Sequence, residues 1–135
     1  MKYLAVACMF SMSLWGASTE VVQYMNELET AAKAENRSFS GFDALRGKEI
    51  FTSTHTGKQG KPMACTSCHT ANLASAGKNS LTGKVIDPLS PRANPQRLIS
   101  AKEVKKWLKR NFVDVYAHEG TAQEKGDVLA YIMKN

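Results

Sequence analysis

Five residues constrain this chain more than any others: Cys65-Thr66-Ser67-Cys68-His69. Two thiols separated by two residues, with an imidazole immediately after, form the covalent attachment sequence of a c-type haem. The thiols add across the two porphyrin vinyl groups, whose separation the two-residue spacer matches. The adjacent histidine then reaches the iron from the same face. A tetrahedral zinc site asks for four ligands, commonly a second Cys/His pair at short spacing, and the sequence offers none. A thioredoxin-like thiol pair needs a strand–helix setting in a βαβ pattern, which is also missing. The motif therefore predicts one covalently bound haem c, with Cys65 and Cys68 as thioethers and His69 as proximal iron ligand.

The chain has 135 residues, enough for one small domain with one core. Residues 1–18 have the pattern of a secretory signal. Lys2 forms the positive region, an apolar run extends from Tyr3 to Trp15, and Gly16, Ala17 and Ser18 supply a small-residue cleavage site before Thr19. The run is too short and wrongly flanked for a spanning helix. The expected mature protein is residues 19–135, a single monohaem domain outside the cytoplasm, periplasmic in a Gram-negative cell and not itself embedded in a membrane. Cys8 leaves with the signal. A lipoprotein cleavage before Cys8 fits poorly, because the apolar run continues past it and no leucine stands three residues upstream. Both remaining thiols are then committed to haem. Loss of Lys2 takes the formal charge from +6 to +5. In that compartment a positive balance suits an acidic protein partner and excludes nucleic acid as a sensible target.

Helical periodicity organises the rest. Val21, Val22, Met25, Leu28, Ala31 and Ala32 predict a helix from Thr19 to about Asn36, capped by Thr19. A second, from about Asp43 to Thr52, carries Leu45, Ile50 and Phe51. Two more close the chain, about Ser100–Phe112 and Thr121–Met133, each opened by a capping-box pattern, Ser100/Glu103 and Thr121/Glu124. The stretch from Ala71 to Pro95 reads as loop, and haem supplies the core it lacks. No strand alternation persists, so the class is all-α. Gly47 and Phe51 near one end, with Leu129 and Ile132 near the other, permit a close helix crossing similar to that of class I cytochromes c.

The sixth iron ligand is the open question. Methionine or a second histidine is usual in an electron carrier, yet no methionine lies between His69 and Ile132. Met133 ends the last helix and Met63 lies on the attachment side. The remaining candidates are His118, His55 and a neutral oxygen or amide. With 3.6 residues per turn, Val104, Trp107, Leu108 and Asn111 share one helical face, opposite Lys105, Lys106, Lys109 and Arg110. Asn111 is thereby placed mid-face, where an unpaired amide is costly; iron or nearby backbone would satisfy it. His118 lies in the connector before Thr121, and His55 is expected at the surface or on a propionate.

Much of the chain from Arg46 onward resembles the oxygen-binding monohaem cytochrome c family called sphaeroides haem protein. The matching residues are Arg46-Gly47, Phe51, Ser53-Thr54, Thr56-Gly57, the haem motif, Ala76-Gly77, Thr82-Gly83-Lys84, Ile86, Pro88-Leu89 and Pro91. Trp107-Leu108, Arg110-Asn111, Glu124-Lys125, Asp127 and Leu129-Ala130 continue the match. The resemblance implies a class I cytochrome c-like domain with an extra N-terminal helix. It implies axial ligation by His69 and Asn111, with the amide leaving on reduction to give high-spin ferrous haem that binds O2 and NO. It also implies a dihaem cytochrome c as electron donor, served in turn by a membrane cytochrome b. Some relatives carry a further cysteine pair starting just after the ligand asparagine. Here Phe112 follows Asn111 with no spare thiol, which predicts a looser loop through His118 and room for His118 to compete for iron.

Second-sphere expectations follow. A carbonyl near Pro88 would accept the Nδ1 proton of His69; Pro88 would pack on the porphyrin, and Trp107 either there or in the core; Arg92 or Arg97 would meet propionates or face solvent. Lys102, Lys105, Lys106, Lys109 and Arg110 form a basic strip, either a solvated helix face or a docking surface for an acidic redox protein. The leading function is a periplasmic electron-transfer cytochrome with redox-gated gas binding. The alternatives are a plain electron carrier with His118 as permanent second ligand, and a small haem oxidase or reductase. The last lacks an acid–base pair, since no carboxylate evidently orients His118.

Overall fold

The apolar stripe of the first helix decides how the termini meet. In the computed structural model, which describes residues 16–135, α1 spans Thr19–Glu35 and buries Val21, Tyr24, Leu28 and Ala32 on one face. Its cap is Ser18 rather than Thr19: the Ser18 hydroxyl accepts the Val21 N–H at 3.2 Å and donates to the Ile99 carbonyl at 2.5 Å. The Ser18 N–H also donates to Leu98, at 2.9 Å. This tie to the segment before a distant helix is what favours Ser18, and periodicity alone does not register it. The signal reading falls mostly on residues 1–15, Cys8 included, which lie outside the described residues.

The order continues with α2 (Ala44–Thr52), β1 (His55–Thr56), β2 (Pro62–Met63), α3 (Thr66–His69), β3 (Gly77–Lys78), β4 (Val85–Ile86), α4 (Ala101–Tyr116) and α5 (Ala122–Lys134). The strands form two separate antiparallel ladders, β1 with β2 and β3 with β4, each two residues long. They ornament an all-α fold, and the stretch from Ala71 to Pro95, expected to be pure loop, holds the β3–β4 ladder. Asp43 caps α2 through the N–H groups of Leu45 and Arg46. Thr121 and Glu124 form the reciprocal box at α5; at α4 only the Ser100 half forms, accepting from Glu103 N–H at 3.3 Å.

The close crossing is that of α2 with α5. A Cβ on Gly47 would lie 1.9 Å from the Asp127 carbonyl oxygen, so only glycine lets the backbones approach this far. Phe51 and Tyr131 pack across it with ring centroids 5.6 Å apart, and Val128, Leu129 and Ile132 complete the buried patch. Asp127, buried here, accepts from Arg46 Nε at 2.9 Å, Arg46 Nη2 at 3.0 Å and the Asp43 N–H at 2.7 Å. That set of donors satisfies a charge that would otherwise be expensive to bury. α1 lies against α5 and α4.

α4 runs four residues beyond its expected end at Phe112. Val113, Asp114 and Val115 have weak helix propensity, but Val115 is buried and Tyr116 packs on Phe112, so tertiary contact overrides the local preference. The helix stops at Ala117, which adopts the left-handed conformation at φ 58°.

Candidate haem-binding site

A single helical turn assembles the haem motif. The His69 and Cys68 N–H groups both donate to the Cys65 carbonyl, at 3.1 and 3.2 Å, which places the two thiols one turn apart on the same side. Within the turn the Ser67 hydroxyl accepts the N–H of the preceding Ala64 at 3.0 Å, and Thr70, at φ 63°, ends it. Strand β3 lies flat against this turn: a Cβ on Gly77 would fall 2.1 Å from the Cys68 carbonyl oxygen. The following Ser80 N–H reaches the Cys68 sulfur at 3.4 Å.

The donor set suits a covalently held porphyrin. Cys65 and Cys68 are free thiols, not joined to each other. Burial pushes the Cys65 thiol, before any attachment, up to about 11. Burial first, and the Arg97 charge second, bring the His69 imidazole down to about 4, keeping it neutral as an iron ligand must be. Its ring lies 6.1 Å from Phe51. Among the described residues no group of three or more His, Cys, Asp or Glu stands together as a site for a bare metal ion.

The expected partner of His69 has other commitments. The Pro88 carbonyl accepts from Arg97 Nε at 2.8 Å and from Asn94 Nδ2 at 3.4 Å. Arg97 also donates to the Asp87 carbonyl at 2.6 Å. The turn from Ser90 to Asn94 swings Arg97 back over Pro88, where its Nε and Nη2 donors meet backbone carbonyls. Arg92 is exposed and Pro88 half-buried.

On α4 the buried line is Leu108, Phe112 and Val115. Asn111 is half-buried and sits on the shoulder of that line, about 60° from Leu108 at 100° per residue, rather than at its centre. Among the described residues no hydrogen bond engages its amide. Trp107 turns further outward and is 47% exposed; its indole N–H donates to Glu103 at 3.2 Å, and Lys106 and Arg110 each lie 5.1 Å from the ring centre. The basic strip is laced with acids: Lys105 pairs with Glu27 at 2.8 Å, Lys106 with Glu103 at 3.5 Å and Lys109 with Glu119 at 2.9 Å. These are exposed pairs that offset much of the strip's charge.

The two other histidines gather on Tyr116. His55 is exposed and stacks on the tyrosine ring at 4.1 Å between centroids. His118 meets it edge-on at 5.7 Å and is likewise exposed. The Gly120 N–H donates to His118 Nδ1 at 3.0 Å, which places the proton of the neutral ring on Nε2. Iron ligation through Nε2 would have to break that arrangement. Tyr116 itself escaped the sequence reading; the Thr56-Gly57 pair, which contacts the same helix end, was a usable signal.

Comparison with known proteins bears directly on this geometry. The family described as a domain of unknown function (DUF1924) matches residues 37–132. The cytochrome c-type protein SHP of Cereibacter sphaeroides is 35% identical over 131 residues, 97% of this chain and 96% of that protein. The chain belongs to the SHP family of c-type cytochromes. Cytochrome c'' of Methylophilus methylotrophus is 30% identical over 93% of this chain and 87% of its own length. Among solved structures, oxidised SHP, described as an oxygen-binding cytochrome c, superposes with TM-score 0.75 at 38% identity, covering 88% of this chain and 98% of that one. A solution structure of the Methylophilus protein, described as giving insight into haem-ligand detachment, superposes with TM-score 0.76 at 30% identity over 87% of this chain and 94% of that one. Membership in the SHP family makes the cofactor a covalently bound haem c and the fold a helical, class I-like cytochrome.

Proposed function

We propose that this chain is an exported, oxygen-binding electron-transfer cytochrome whose sixth iron position is gated by oxidation state. Cys65 and Cys68 carry the thioether bonds, His69 is the proximal ligand and Asn111 the labile distal one. When bound, the haem would supply a one-electron couple and an iron open to small ligands. His69 would hold that iron through a neutral imidazole. Asn111 would offer it a carboxamide oxygen, a weak neutral donor that ferric charge attracts more than ferrous charge does. In the reduced protein the Asn111 amide would give way to O2 or NO and would stand near as an N–H donor.

The observation that carries this reading is the half-buried Asn111 amide, free of hydrogen bonds among the described residues, on the inner shoulder of α4. The engagement of His118 Nδ1 by Gly120 argues against His118 as a permanent ligand. The oxygen binding in the description of SHP and the ligand detachment in that of its Methylophilus relative support a labile position. In this reading the protein works in the periplasm and takes electrons from a dihaem cytochrome c served by a membrane cytochrome b. No described helix is long and apolar enough to cross a membrane.

Optical spectra test the assignment. The purified ferric protein should be six-coordinate and low-spin, the dithionite-reduced protein high-spin, with a fast and complete shift on adding carbon monoxide. Asn111→Ala should render the ferric form high-spin as well. Six strong-field ligands in both oxidation states, indifferent to Asn111→Ala, would overturn it.

A further inference from the structure

The loop between α2 and the haem motif does more than lead into Cys65. Its β1–β2 hairpin turns through Gly57, whose N–H donates to the Lys61 carbonyl at 3.0 Å, and pairs His55 with Met63. Two residues later the chain reaches Cys65. The outer side of the same hairpin is pressed against the end of α4. A Cβ on Gly57 would lie 2.3 Å from the Asp114 carbonyl oxygen. The Lys58 N–H donates to that carbonyl at 3.2 Å, and the Lys58 ammonium pairs with the Asp114 carboxylate. Asp114 is among the last four residues of the helix, whose carbonyls have no intrahelical partner. The hairpin therefore acts as the C-terminal cap of α4.

Tyr116 makes a second tie. Its hydroxyl donates to the Ile50 carbonyl at 2.7 Å, and Ile50 lies in the last turn of α2, so this carbonyl too is one the helix leaves unpaired. The next residue, Phe51, is the one that faces His69. His55 covers the Tyr116 ring from the hairpin. Asp114 and Tyr116 stand three and five residues beyond Asn111, on the same rigid helix.

We infer that this hairpin is a clamp that sets the position of Asn111 relative to the haem attachment turn, with Tyr116, Gly57 and Asp114 as positioning residues. The inference rests on Asn111 being the distal ligand. One segment is tied to the porphyrin through Cys65 and grips the ligand-bearing helix three residues past Asn111. Tyr116 joins that helix to the element bearing Phe51. The spacing across the iron is fixed by hydrogen bonds and one close backbone approach, with no thiol beyond Cys65 and Cys68 among the described residues. Loosening the clamp lets Asn111 withdraw without touching it.

The test uses the haem-loaded full chain and titrates the ferric protein with imidazole, a competitor for the distal position. Tyr116→Phe keeps the ring and removes only the hydroxyl; Gly57→Ala wedges the hairpin off Asp114. Each should raise imidazole affinity about tenfold, the scale typical of outer-sphere partners of metal ligands. Lys33→Gln, which breaks an exposed pair on α1, should leave it unchanged. Asn111→Ala should raise affinity further and abolish the effect of both clamp variants. An equal increase in the Asn111→Ala background would mean general distortion and overturn the clamp. So would unchanged affinity in Tyr116→Phe when Asn111→Ala alone raises it. If Asn111→Ala itself changes nothing, the ligand assignment fails and the clamp falls with it.

Discussion

The α2–α5 crossing and the stretch from Ser53 to Ile99 are built by opposite means. At the crossing, Phe51, Val128, Leu129, Tyr131 and Ile132 are buried against one another, and the one buried charge, Asp127, has three donors. Along the stretch the buried apolar side chains are Ala64, Leu73, Pro91 and Leu98, separated by turns and two-residue ladders, while Leu81 and Val85 are 55% and 66% exposed. A helix pair can close its own core from side chains. A segment committed to a large flat cofactor cannot do so, because the groups that would fill its centre would displace the porphyrin. The difference teaches that the crossing is a frame and the stretch a lining.

That contrast can be broken in order of effect. Replacing both thiols, Cys65→Ala with Cys68→Ala, removes the covalent hold. Amide protection should then be lost across residues 53–99 while α2 and α5 keep theirs, as read by hydrogen exchange; uniform loss would mean that the frame depends on the lining. Gly47→Ala attacks the other side. Its methyl meets the Asp127 backbone, and overpacking of this kind costs about 3 kcal/mol in denaturant unfolding of the haem-loaded protein. A loss under about 1 kcal/mol would show the crossing to be more pliable than its geometry implies.

The smallest effect concerns the seam between the two regions. Burial above all pushes the Tyr116 phenol up to about 12 from its ordinary 10.0. The unfolded chain therefore releases this proton first as pH rises. The associated stability is complete below pH 10 and is lost progressively towards pH 12. Tyr116→Phe should flatten that part of the alkaline stability curve. An identical slope in both proteins would remove Tyr116 from the seam.

The haem turn was legible because its chemistry is local: five consecutive residues declare the cofactor, and one helical turn is enough to arrange them. The four main helices were legible for a similar reason, through Val21, Leu28, Leu108 and Leu129 recurring at helical spacing. What periodicity missed is non-local. Ser18 outcompetes Thr19 as a cap because Ile99 waits beside it. Arg97 captures the Pro88 carbonyl through a turn that spacing does not encode. Asn111 sits on the shoulder of α4 because Phe112 and Val115, rather than Trp107, define the buried line. The clamp joins Gly57 to Asp114 and Tyr116 to Ile50, pairs separated by dozens of residues.

On the exported reading proposed above, the Ser18 hydroxyl would give leader cleavage a structural stake. A peptidase cutting after Ala17 would leave a mature chain whose new ammonium still reaches Leu98 and whose first side chain still holds Val21. Moving the scissile bond by one residue, to the site read before Thr19, would discard both and begin α1 uncapped, a difference of about 1 kcal/mol. A trim that small at the leader junction would reach, through the Leu98–Ile99 strap, the start of the helix that bears Asn111.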